Sequence, residues 1–478
     1  MPIHPIQAAV EILGRDSRLR HGANDAVAYL MDLLYYGEFS IFEQVSSGGP
    51  VERVNLIGSK RGSDSGEAPL WLISYINSSV GPVPSRWAST GGDPFAARAP
   101  VAGGMLYGLG ATSGKVDAVL KILAASRFRL EELKRPIHVV TLAGEESTGS
   151  GVRSLLATGP SPNGVAVIGA PTNLELWTDH PGCVALELEL NRRLRHRRMP
   201  PSRGVFEIEI SGRSAHAQTP ALGIDAIAAG ADAIAHLRAT SEIRILGFEA
   251  GEAANRVAGR CLLRIATSAE EAPDLGPDVE VRPIADGTAL PFPLDNLYDA
   301  WFKAREAGVA AVTERLGVQR NASAARPPVP AATGRLHTDR NSIAGTVMLW
   351  TGPGVSTRDL CEEFARAVGQ ALAGEDEIEV GIEVLQDRPA FVATEPGPAL
   401  LDAARYAANA AGLVVARTGG VLTTDAALLR QAGIETLVFG PGRGVGDLYR
   451  DDEAIPLAHL EAAFKFYVAL IQRWCVDI

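Results

Sequence analysis

Short apolar runs alternate with helical segments towards both ends of this 478-residue chain, and that alternation most constrains its fold. The clearest runs are LWLISYI (70–76), IHVVTLA (137–143) and GVAVIGA (164–170). Between the first two, KVDAVLKILAASRF (115–128) carries apolar residues at helical spacing. Continuous β-rich runs that alternate with helices are typical of a largely parallel sheet covered by helices on both faces. The sequence therefore predicts an α/β fold class for these parts of the chain.

The same pattern returns near the C-terminus. It predicts helices over 399–412 and 425–433, and strands over LVVAR (413–417) and ETLVFGPG (435–442). At the other end, AVAYLMDLLYYG (26–37) predicts the first helix, with Gly37 at its C-cap.

The middle of the chain has a different periodicity. VALELEL (184–190) and VFEIEISG (205–212) alternate strictly between apolar and polar residues, as half-exposed antiparallel strands do. A helix is expected over 226–239. We therefore predict an α+β domain at 182–387, inserted into an α/β domain formed by 1–181 and 388–478.

Charge and composition exclude several classes of protein. The net charge of −11 argues against a nucleic-acid binder, since phosphate contact needs a basic surface. The four cysteines form no CxxC pair, which disfavours a disulfide framework. No apolar run is long enough to span a membrane, and the N-terminus lacks the apolar core of a secretory signal. We expect a cytoplasmic protein without membrane contact.

One segment is strongly basic. NRRLRHRRMPPSR (191–203) holds six arginines on an otherwise acidic chain. It is either a solvated loop or a docking site for an acidic protein partner.

Five stretches carry motifs of one known family, in the family's order. They are SSVGPVPSRWASTGGDPF…GGMLYGLGATSGK (78–115), AGEESTGSGVRSLL (143–156), VIGAPTNLELWTDHPG (167–182), SGRSAHAQTPALGIDAI (211–227) and TTDAALLRQAG…FGPG (423–442). Together they resemble the M20 metallopeptidase and aminoacylase family, which includes acetylornithine deacetylase, succinyl-diaminopimelate desuccinylase and related dipeptidases. The resemblance implies a zinc-exopeptidase-like α/β domain with an inserted ferredoxin-like lid. It also implies pairing into a homodimer through that lid, and a small amino-acid-like or peptide-like substrate.

The resemblance breaks down at the metal site. Family members hold two zinc ions with two histidines and three carboxylates. Of these five positions, only Glu146 is occupied in this chain by a residue that can bind zinc. The other four are Asn77, Ser113, Ala170 and Tyr449, and Ser79 replaces an aspartate that supports the first histidine. Neutral amides, hydroxyls and a methyl group cannot balance the charge of two dications, so no zinc cofactor is expected.

Other positions of the family's site are retained. Glu145 matches the general base, and burial beside Glu146 would raise the pKa of one carboxyl group to give a metal-free acid and base. His216 matches the lid histidine that stabilises the oxyanion, unless it is only a structural residue at a strand end. The candidates for substrate binding are Lys115, Asp425, Asn341 (or its repeat, Asn255), and the substituted positions Asn77, Ser113 and Tyr449. Lys115 could equally be a cation on a helix surface, and Asp425 a helix N-cap.

Three hypotheses remain open from the sequence. The first is an M20 homologue that hydrolyses, transfers or condenses an N-acyl amino acid or peptide-like amide without the two zincs. The second is a non-catalytic pseudoenzyme that binds an amino-acid-like ligand or an acidic partner. The third is a re-sited single metal that uses Glu146 with His180, Asp425 or another histidine.

Overall fold

The computed structural model describes most of the chain. The described residues are 3–18, 24–46, 53–64, 66–78, 86–99, 104–143, 149–159, 163–193, 204–268, 271–276, 279–284, 293–317, 332–392, 398–414, 417–448 and 450–477.

The chain divides into two compact units. The first comprises Met1–Gly182 and Arg388–Ile478, and the second comprises Cys183–Asp387. The sequence predicts the boundaries of the inserted domain at 181/182 and 387/388. The role of the second unit as a lid and dimerisation domain stays a prediction.

The N-terminal part of the first unit alternates helices and strands. Its elements are α1 (Pro5–Leu13), α2 (Asn24–Tyr36), β1 (Ser40–Ser46), β2 (Arg53–Lys60), β3 (Leu70–Tyr75), β4 (Met105–Tyr107), α3 (Gly114–Ala125), β5 (Ile137–Leu142), α4 (Ser150–Thr158), β6 (Val165–Ile168) and β7 (Leu176–His180).

The inserted unit consists of eight strands and three longer helices among its described residues. They are β8 (Gly182–Arg192), β9 (Gly204–Ser211), α5 (Ala226–Thr240), β10 (Ile243–Ala250), β11 (Arg260–Thr267), β12 (Val279–Pro283), α6 (Asp295–Gly317), β13 (Leu336–Thr338), β14 (Ser342–Thr351), α7 (Thr357–Ala371) and β15 (Ile378–Arg388).

The C-terminal part completes the first unit. It contributes β16 (Phe391–Val392), α8 (Pro398–Ala410), β17 (Arg417–Gly419), α9 (Ala426–Gln431), β18 (Glu435–Val438), α10 (Gly444–Asp447), β19 (Ala454–Pro456) and α11 (Leu457–Ile471), followed by a π-helical turn over Gln472–Val476.

The large sheet of the first unit is mixed. Its order is β1-β2-β5-β3-β6-β18-β7-β16, and β17 also pairs with β7. The centre, β5-β3-β6-β18, is parallel, whereas β1, β2 and β16 pair antiparallel and so does β18 with β7. The fold is therefore mixed α/β as predicted, with its parallel part confined to the centre of the sheet and to the β7–β17 pair.

The centre of that sheet is buried on both faces, as β3 shows, where every position except Ser74 is apolar. Leu70 and Leu72 pack with α1, α2, α3, α8 and α11 in one apolar cluster. Trp71, Ile73 and Tyr75 pack into a second cluster with α4 and α9 on the opposite face. This two-sided burial explains why the strand is a continuous apolar run and not an alternating one.

The inserted unit is built on an eight-stranded sheet of order β12-β9-β11-β10-β13-β14-β8-β15. The pairs β9–β11, β10–β11 and β13–β14 are antiparallel. One face carries the apolar residues of β8, β9 and β11, which pack against α5, α6 and α7. This is the α+β organisation that the alternating strands predicted.

Several local predictions need correction. The predicted strand LVVAR is wrong at Leu413 and Val414, which lie outside any strand, and β17 begins only at Arg417. Val414 is 96% exposed, so no buried face selected a strand there. The predicted first helix is in fact the second, because α1 precedes it.

Among the described residues, no helix combines the length and the apolar character that crossing a lipid bilayer requires.

A buried ionic network holds α3 to the centre of the sheet. Lys121 pairs with Asp117 at 2.7 Å and donates to the carbonyl of Ile73 at 2.7 Å. The Asp117 carboxylate also accepts from the hydroxyls of Ser74 and Tyr467. Burial lowers the pKa of Lys121, and the Asp117 charge opposes that shift.

We predict that Lys121→Met lowers the free energy of unfolding by about 3–5 kcal/mol, because it leaves the Asp117 carboxylate buried without its cation. Urea unfolding checks this value. The control is Arg405→Ala, which removes an exposed partner of Asp402 and should cost at most about 1 kcal/mol. Equal losses in the two variants would contradict the proposed importance of the network, and Lys121→Met/Asp117→Asn should recover part of the loss.

Candidate active site

The carboxyl ends of the four central parallel strands converge on one edge of the large sheet. Adjacent backbones are hydrogen-bonded up to that edge: Ile76 N–H donates to Leu142 O at 3.0 Å, and Gly169 N–H donates to Ile73 O at 2.7 Å. In open α/β sheets this is the edge where ligands bind. We call it the carboxyl edge.

This edge holds three described positions that correspond to metal ligands in the family that the sequence resembles. Asn77 follows β3 and is 4% exposed. Ser113 is the residue before α3, and its hydroxyl donates to Gly110 O at 3.0 Å. Ala170 follows β6, and its methyl packs against the apolar cluster of the α4 and α9 face. None of these side chains is a carboxylate or an imidazole.

Four other residues of the sequence-based site, Ser79, Glu145, Glu146 and Tyr449, lie outside the described residues.

Lys115 is not a surface cation. It is fully buried on the first turn of α3, and its ammonium donates to Arg15 O at 3.1 Å. Burial lowers the pKa of Lys115 to about 8, and the charges of Glu453 and Asp16 oppose that shift. The side chain lies against Gly110, where a Cβ atom would be 2.5 Å from Lys115 Cε. Its position makes Lys115 a support of the loop before α3.

Glu453 fixes the same loop from the other end of the chain. Its buried carboxylate accepts from Gly110 N–H at 2.9 Å, from Thr112 N–H at 2.7 Å and from the Thr112 hydroxyl. Burial raises the pKa of Glu453, while these hydrogen bonds and the charge of Lys115 lower it. Glu453 therefore positions the turn that ends at Ser113.

Asp425 is buried at the carboxyl edge in an ion pair. It occupies the N-cap position of α9, as the N-cap interpretation expects, but its side chain makes no capping hydrogen bond. Instead, the Tyr75 hydroxyl donates to Asp425 Oδ2 at 3.1 Å and accepts from Asp425 N–H at 3.0 Å. Arg388 Nε lies 3.4 Å from Asp425 Oδ1.

His180 is buried beside this pair with both ring nitrogens engaged. Nδ1 lies 2.9 Å from Pro181 O, which can only accept, so Nδ1 carries the proton. Nε2 then accepts from Thr424 N–H at 3.3 Å and from the Thr424 hydroxyl at 2.9 Å. Burial, with a contribution from the Arg388 charge, lowers the pKa of His180 to about 4, although the bond to Pro181 opposes that shift. His180 as placed has no lone pair for a metal.

His216 and Asn341 belong to the inserted unit. His216 Nδ1 accepts from Gln218 N–H at 3.1 Å, which places the proton of the neutral ring on Nε2. Burial lowers the pKa of His216 to about 4, so the ring is a neutral donor at neutral pH. Asn341 directly precedes β14; its carbonyl accepts from Arg192 N–H at 2.9 Å, and its buried Oδ1 has no hydrogen-bond partner among the described residues.

The described donors do not fit the dinuclear zinc site that the resemblance implies. Zinc is held by imidazole, thiolate or carboxylate groups, whereas the three described ligand positions offer an amide, a hydroxyl and a methyl. Within the described part of the chain, no cluster of three or more His, Cys, Asp or Glu side chains is arranged to hold a metal.

Sequence reasoning missed four residues of this edge: Tyr75, Arg388, Thr424 and Glu453. Tyr75 and Arg388 lie within strands, so the sequence pattern indicates only that they are core or sheet residues. Thr424 directly precedes Asp425, and Glu453 lies four residues after Tyr449, so closeness to these positions in the sequence was the available signal.

Comparison with known proteins identifies the family. The sequence model of peptidase family M20/M25/M40 matches residues 81–473, which is most of the chain. The chain belongs to this family. An acetylornithine deacetylase from Myxococcus xanthus is 32% identical over 163 residues. That match covers 34% of this chain and 40% of the deacetylase, so it spans less than half of the relative.

Solved structures of M20-type folds match nearly the whole chain. A dipeptidase from Saccharomyces cerevisiae gives a TM-score of 0.60 at 13% identity, covering 98% of this chain and 95% of its own. An M20 family metallo-carboxypeptidase from Sulfolobus solfataricus gives 0.58 at 12% identity, covering 99% of both chains. At these identities the likeness shows the fold alone.

We predict opposite neutral tautomers for two histidines of this M20 protein. Nuclear magnetic resonance of ¹⁵N-histidine-labelled protein should show Nδ1–H for His180 and Nε2–H for His216, with neither ring protonated at pH 6. Thr424→Val removes one donor to His180 Nε2 but keeps Pro181, so the Nδ1–H tautomer should persist. A protonated His180 at pH 6 would contradict the buried arrangement.

The low pKa of His180 also predicts a pH dependence of stability. The folded-state pKa of about 4 lies below the unfolded value near 6.5, so the unfolded chain takes up the proton first as pH falls. The stability due to the neutral ring is complete above about pH 6.5 and is lost towards pH 4. Urea unfolding from pH 7.5 to 4 should therefore show a shallower decline for His180→Gln than for the unaltered chain.

Proposed function

We propose that this M20 protein acts on an N-acyl amino acid or a peptide-like amide without the family's two zinc ions. The single observation that carries the proposal is the donor set at Asn77, Ser113 and Ala170, where the carboxyl edge keeps its framework but has lost groups able to bind zinc. Membership of a hydrolase family supports amide chemistry in general.

The proposed chemistry is an acid/base reaction at the amide carbonyl. Glu145 would deprotonate the attacking water or other nucleophile, and Glu146 would protonate the leaving nitrogen. His216 would donate from Nε2 to the developing oxyanion, which its neutral tautomer permits. The sequence also predicts that substrate is bound by Asn341, Lys115, Asn77, Ser113, Tyr449 and Asp425. The contacts of Lys115 and Asp425 favour supporting roles for these two.

We also propose an alternative function, that of a non-catalytic binding protein. The carboxyl edge is largely satisfied by internal hydrogen bonds and ion pairs, as at His180, Glu453 and Asp425, and a non-catalytic binding protein would retain such a framework. In that case an amino-acid-like ligand would bind without turnover. Pairing into a homodimer through the inserted unit is proposed for either function.

The first test is turnover of a panel of N-acyl amino acids and dipeptides, with Glu145→Gln as the variant. We expect activity in metal-free buffer and at least a hundredfold loss in the variant, because general-base catalysis typically contributes about 10²–10⁴-fold. Glu131→Gln makes the same change at an exposed site and should be active. Persistent activity in Glu145→Gln would contradict its role as base.

Two further results would redirect the proposal. About two equivalents of zinc in the purified protein, found by elemental analysis, would refute the metal-free site. A panel compound that raises the melting temperature without turnover would favour the binding protein.

The basic segment 191–203 is proposed to dock an acidic partner. Charge reversal at Arg195 and Arg197 should weaken the binding of a polyglutamate peptide at least tenfold, measured by titration calorimetry at low salt, since the contact would be electrostatic. Reversal of Arg358, which is exposed in the same unit, is the control. Equal affinity in both variants would remove the docking proposal.

A further inference from the structure

A partly exposed serine lies at the carboxyl edge. In the turn GLGATSGK (108–115), Ser113 and Gly114 are partly exposed, whereas Thr112 and Lys115 are buried. Ser113 occupies the N-cap position of α3, and yet its hydroxyl makes no capping hydrogen bond. A serine at this position usually accepts a hydrogen bond from a backbone N–H of the first turn. Helix capping therefore does not explain why a serine stands here.

The turn around Ser113 depends on two glycines. Gly110 has a φ of +90°, which glycine adopts far more readily than other residues. A Cβ atom on Gly114 would lie 2.4 Å from Tyr75 O, so this glycine lets the start of α3 approach the end of β3. In α/β-hydrolases a glycine-flanked turn from a strand into a helix exposes the nucleophilic serine. The turn between β4 and α3 presents the Ser113 hydroxyl in a comparable way.

The Lys115 amine lies beside the same hydroxyl. A Cβ atom on Gly110 would be 2.9 Å from Ser113 Oγ and 3.3 Å from Lys115 Nζ, so both polar atoms lie against one side of Gly110. In this structure Ser113 donates to Gly110 O at 3.0 Å, and Lys115 donates to Arg15 O at 3.1 Å. A nucleophile and its base are often further apart than a hydrogen bond in unliganded enzymes, and they close when substrate binds.

The burial of Lys115 makes its amine available as a base. Burial lowers the pKa of Lys115 to about 8, although the charges of Glu453 and Asp16 oppose that shift. Part of the population therefore has a neutral amine at mildly alkaline pH, and a neutral amine accepts a proton. The N-terminal end of α3 also favours the negative charge that develops on Ser113 Oγ when its proton leaves.

We propose that Ser113 is the nucleophile of the metal-free amide chemistry and that Lys115 takes its proton. As the proton passes to Lys115, Ser113 Oγ bonds to the carbonyl carbon of the amide. The C–N bond then breaks while Glu146 protonates the leaving nitrogen, and an acyl ester remains on Ser113. This use of Lys115 adds to its support of the loop, and the inference rests on the proposed function.

Hydrolysis of the ester completes the cycle. Glu145 takes a proton from water, and the resulting hydroxide attacks the carbonyl carbon of the ester. The bond to Ser113 Oγ breaks, and the Lys115 ammonium returns its proton to that oxygen. The proton taken from water passes from Glu145 to the adjacent Glu146, so every group regains its starting state and the acid is released.

The test uses p-nitrophenyl acetate, an activated acyl donor that reports the acyl-serine separately from amide turnover. At a pH near the pKa of Lys115, about 8, the intact mass should increase by one acetyl group. Hydroxylamine should remove this group, because it cleaves an ester but not an acetylated lysine, and peptide mapping should locate it on Ser113. Ser113→Ala should lack it.

Ser356→Ala is the matched control. Ser356 is also a helix N-cap, but its hydroxyl accepts from Asp359 N–H and so caps α7. This variant should be acetylated like the unaltered protein. The absence of a hydroxylamine-sensitive acetyl group from the unaltered protein, or an equal yield in Ser113→Ala, would overturn the proposal.

The rate of acetylation tests Lys115. Lys115→Met should slow it at least a hundredfold, since a general base typically contributes about 10²–10⁴-fold. In the unaltered protein the rate should rise as pH increases and level off above about pH 8, as the neutral amine forms. An unchanged rate in folded Lys115→Met would refute Lys115 as the base. If that variant does not fold, a rate in the unaltered protein that is independent of pH would do the same.

Amide turnover separates this inference from the function on which it rests. If Ser113→Ala hydrolyses the panel amides as fast as the unaltered protein does, the amide activity stands and Ser113 is not its nucleophile. If Ser113 is acetylated but no panel amide is hydrolysed, the nucleophile stands and the proposed substrates are wrong. In Glu145→Gln the acetyl ester should persist longer, because its hydrolysis needs the activated water.

Discussion

Charges that cannot reach water must be neutralised within the fold, and the first unit meets this requirement at several points of its large sheet. Lys121 and Asp117 neutralise each other beneath the centre of the sheet, and Arg388 and Asp425 do so at the carboxyl edge. The Glu453 carboxylate is instead satisfied by three hydrogen-bond donors of the loop before α3. Lys121 and Asp117 lie on one helix but also bond Ile73 and Tyr467, and the other groups likewise join segments that are far apart in the sequence. The geometry of the edge therefore depends on charge pairs as much as on apolar packing.

The sequence was informative where burial imposes a pattern. β3, β5 and β6 are largely buried on both faces, so each is a predominantly apolar run that can be recognised without knowledge of its neighbours. The inserted strands β8 and β9 alternate because one face is more exposed. LVVAR has the same composition as a strand, but Val414 is exposed, and composition alone cannot report that.

The site was only partly predictable, for a physical reason. The motifs located Asn77, Ser113 and Lys115 at the carboxyl edge, since each lies at or next to the end of a recognisable element. They could not show that Lys115 is fully buried, or that Asp425 is paired with Arg388, 37 positions away by their numbering. Such contacts depend on how strands and helices pack in three dimensions. The same packing decides which neutral tautomer His180 and His216 adopt.

The position of Arg388 has a consequence for the modularity of the chain. Arg388 is the last residue of β15, a strand of the inserted unit's sheet, and also the first residue of the returning segment of the other unit. The inserted unit therefore cannot be deleted without affecting how Arg388 is placed. A shortened chain that joins the two parts of the first unit must still place the Arg388 guanidinium beside Asp425. Otherwise the Asp425 carboxylate is buried without its cation. The length and register of any replacement linker must therefore preserve this ion pair as well as join the two parts of the chain.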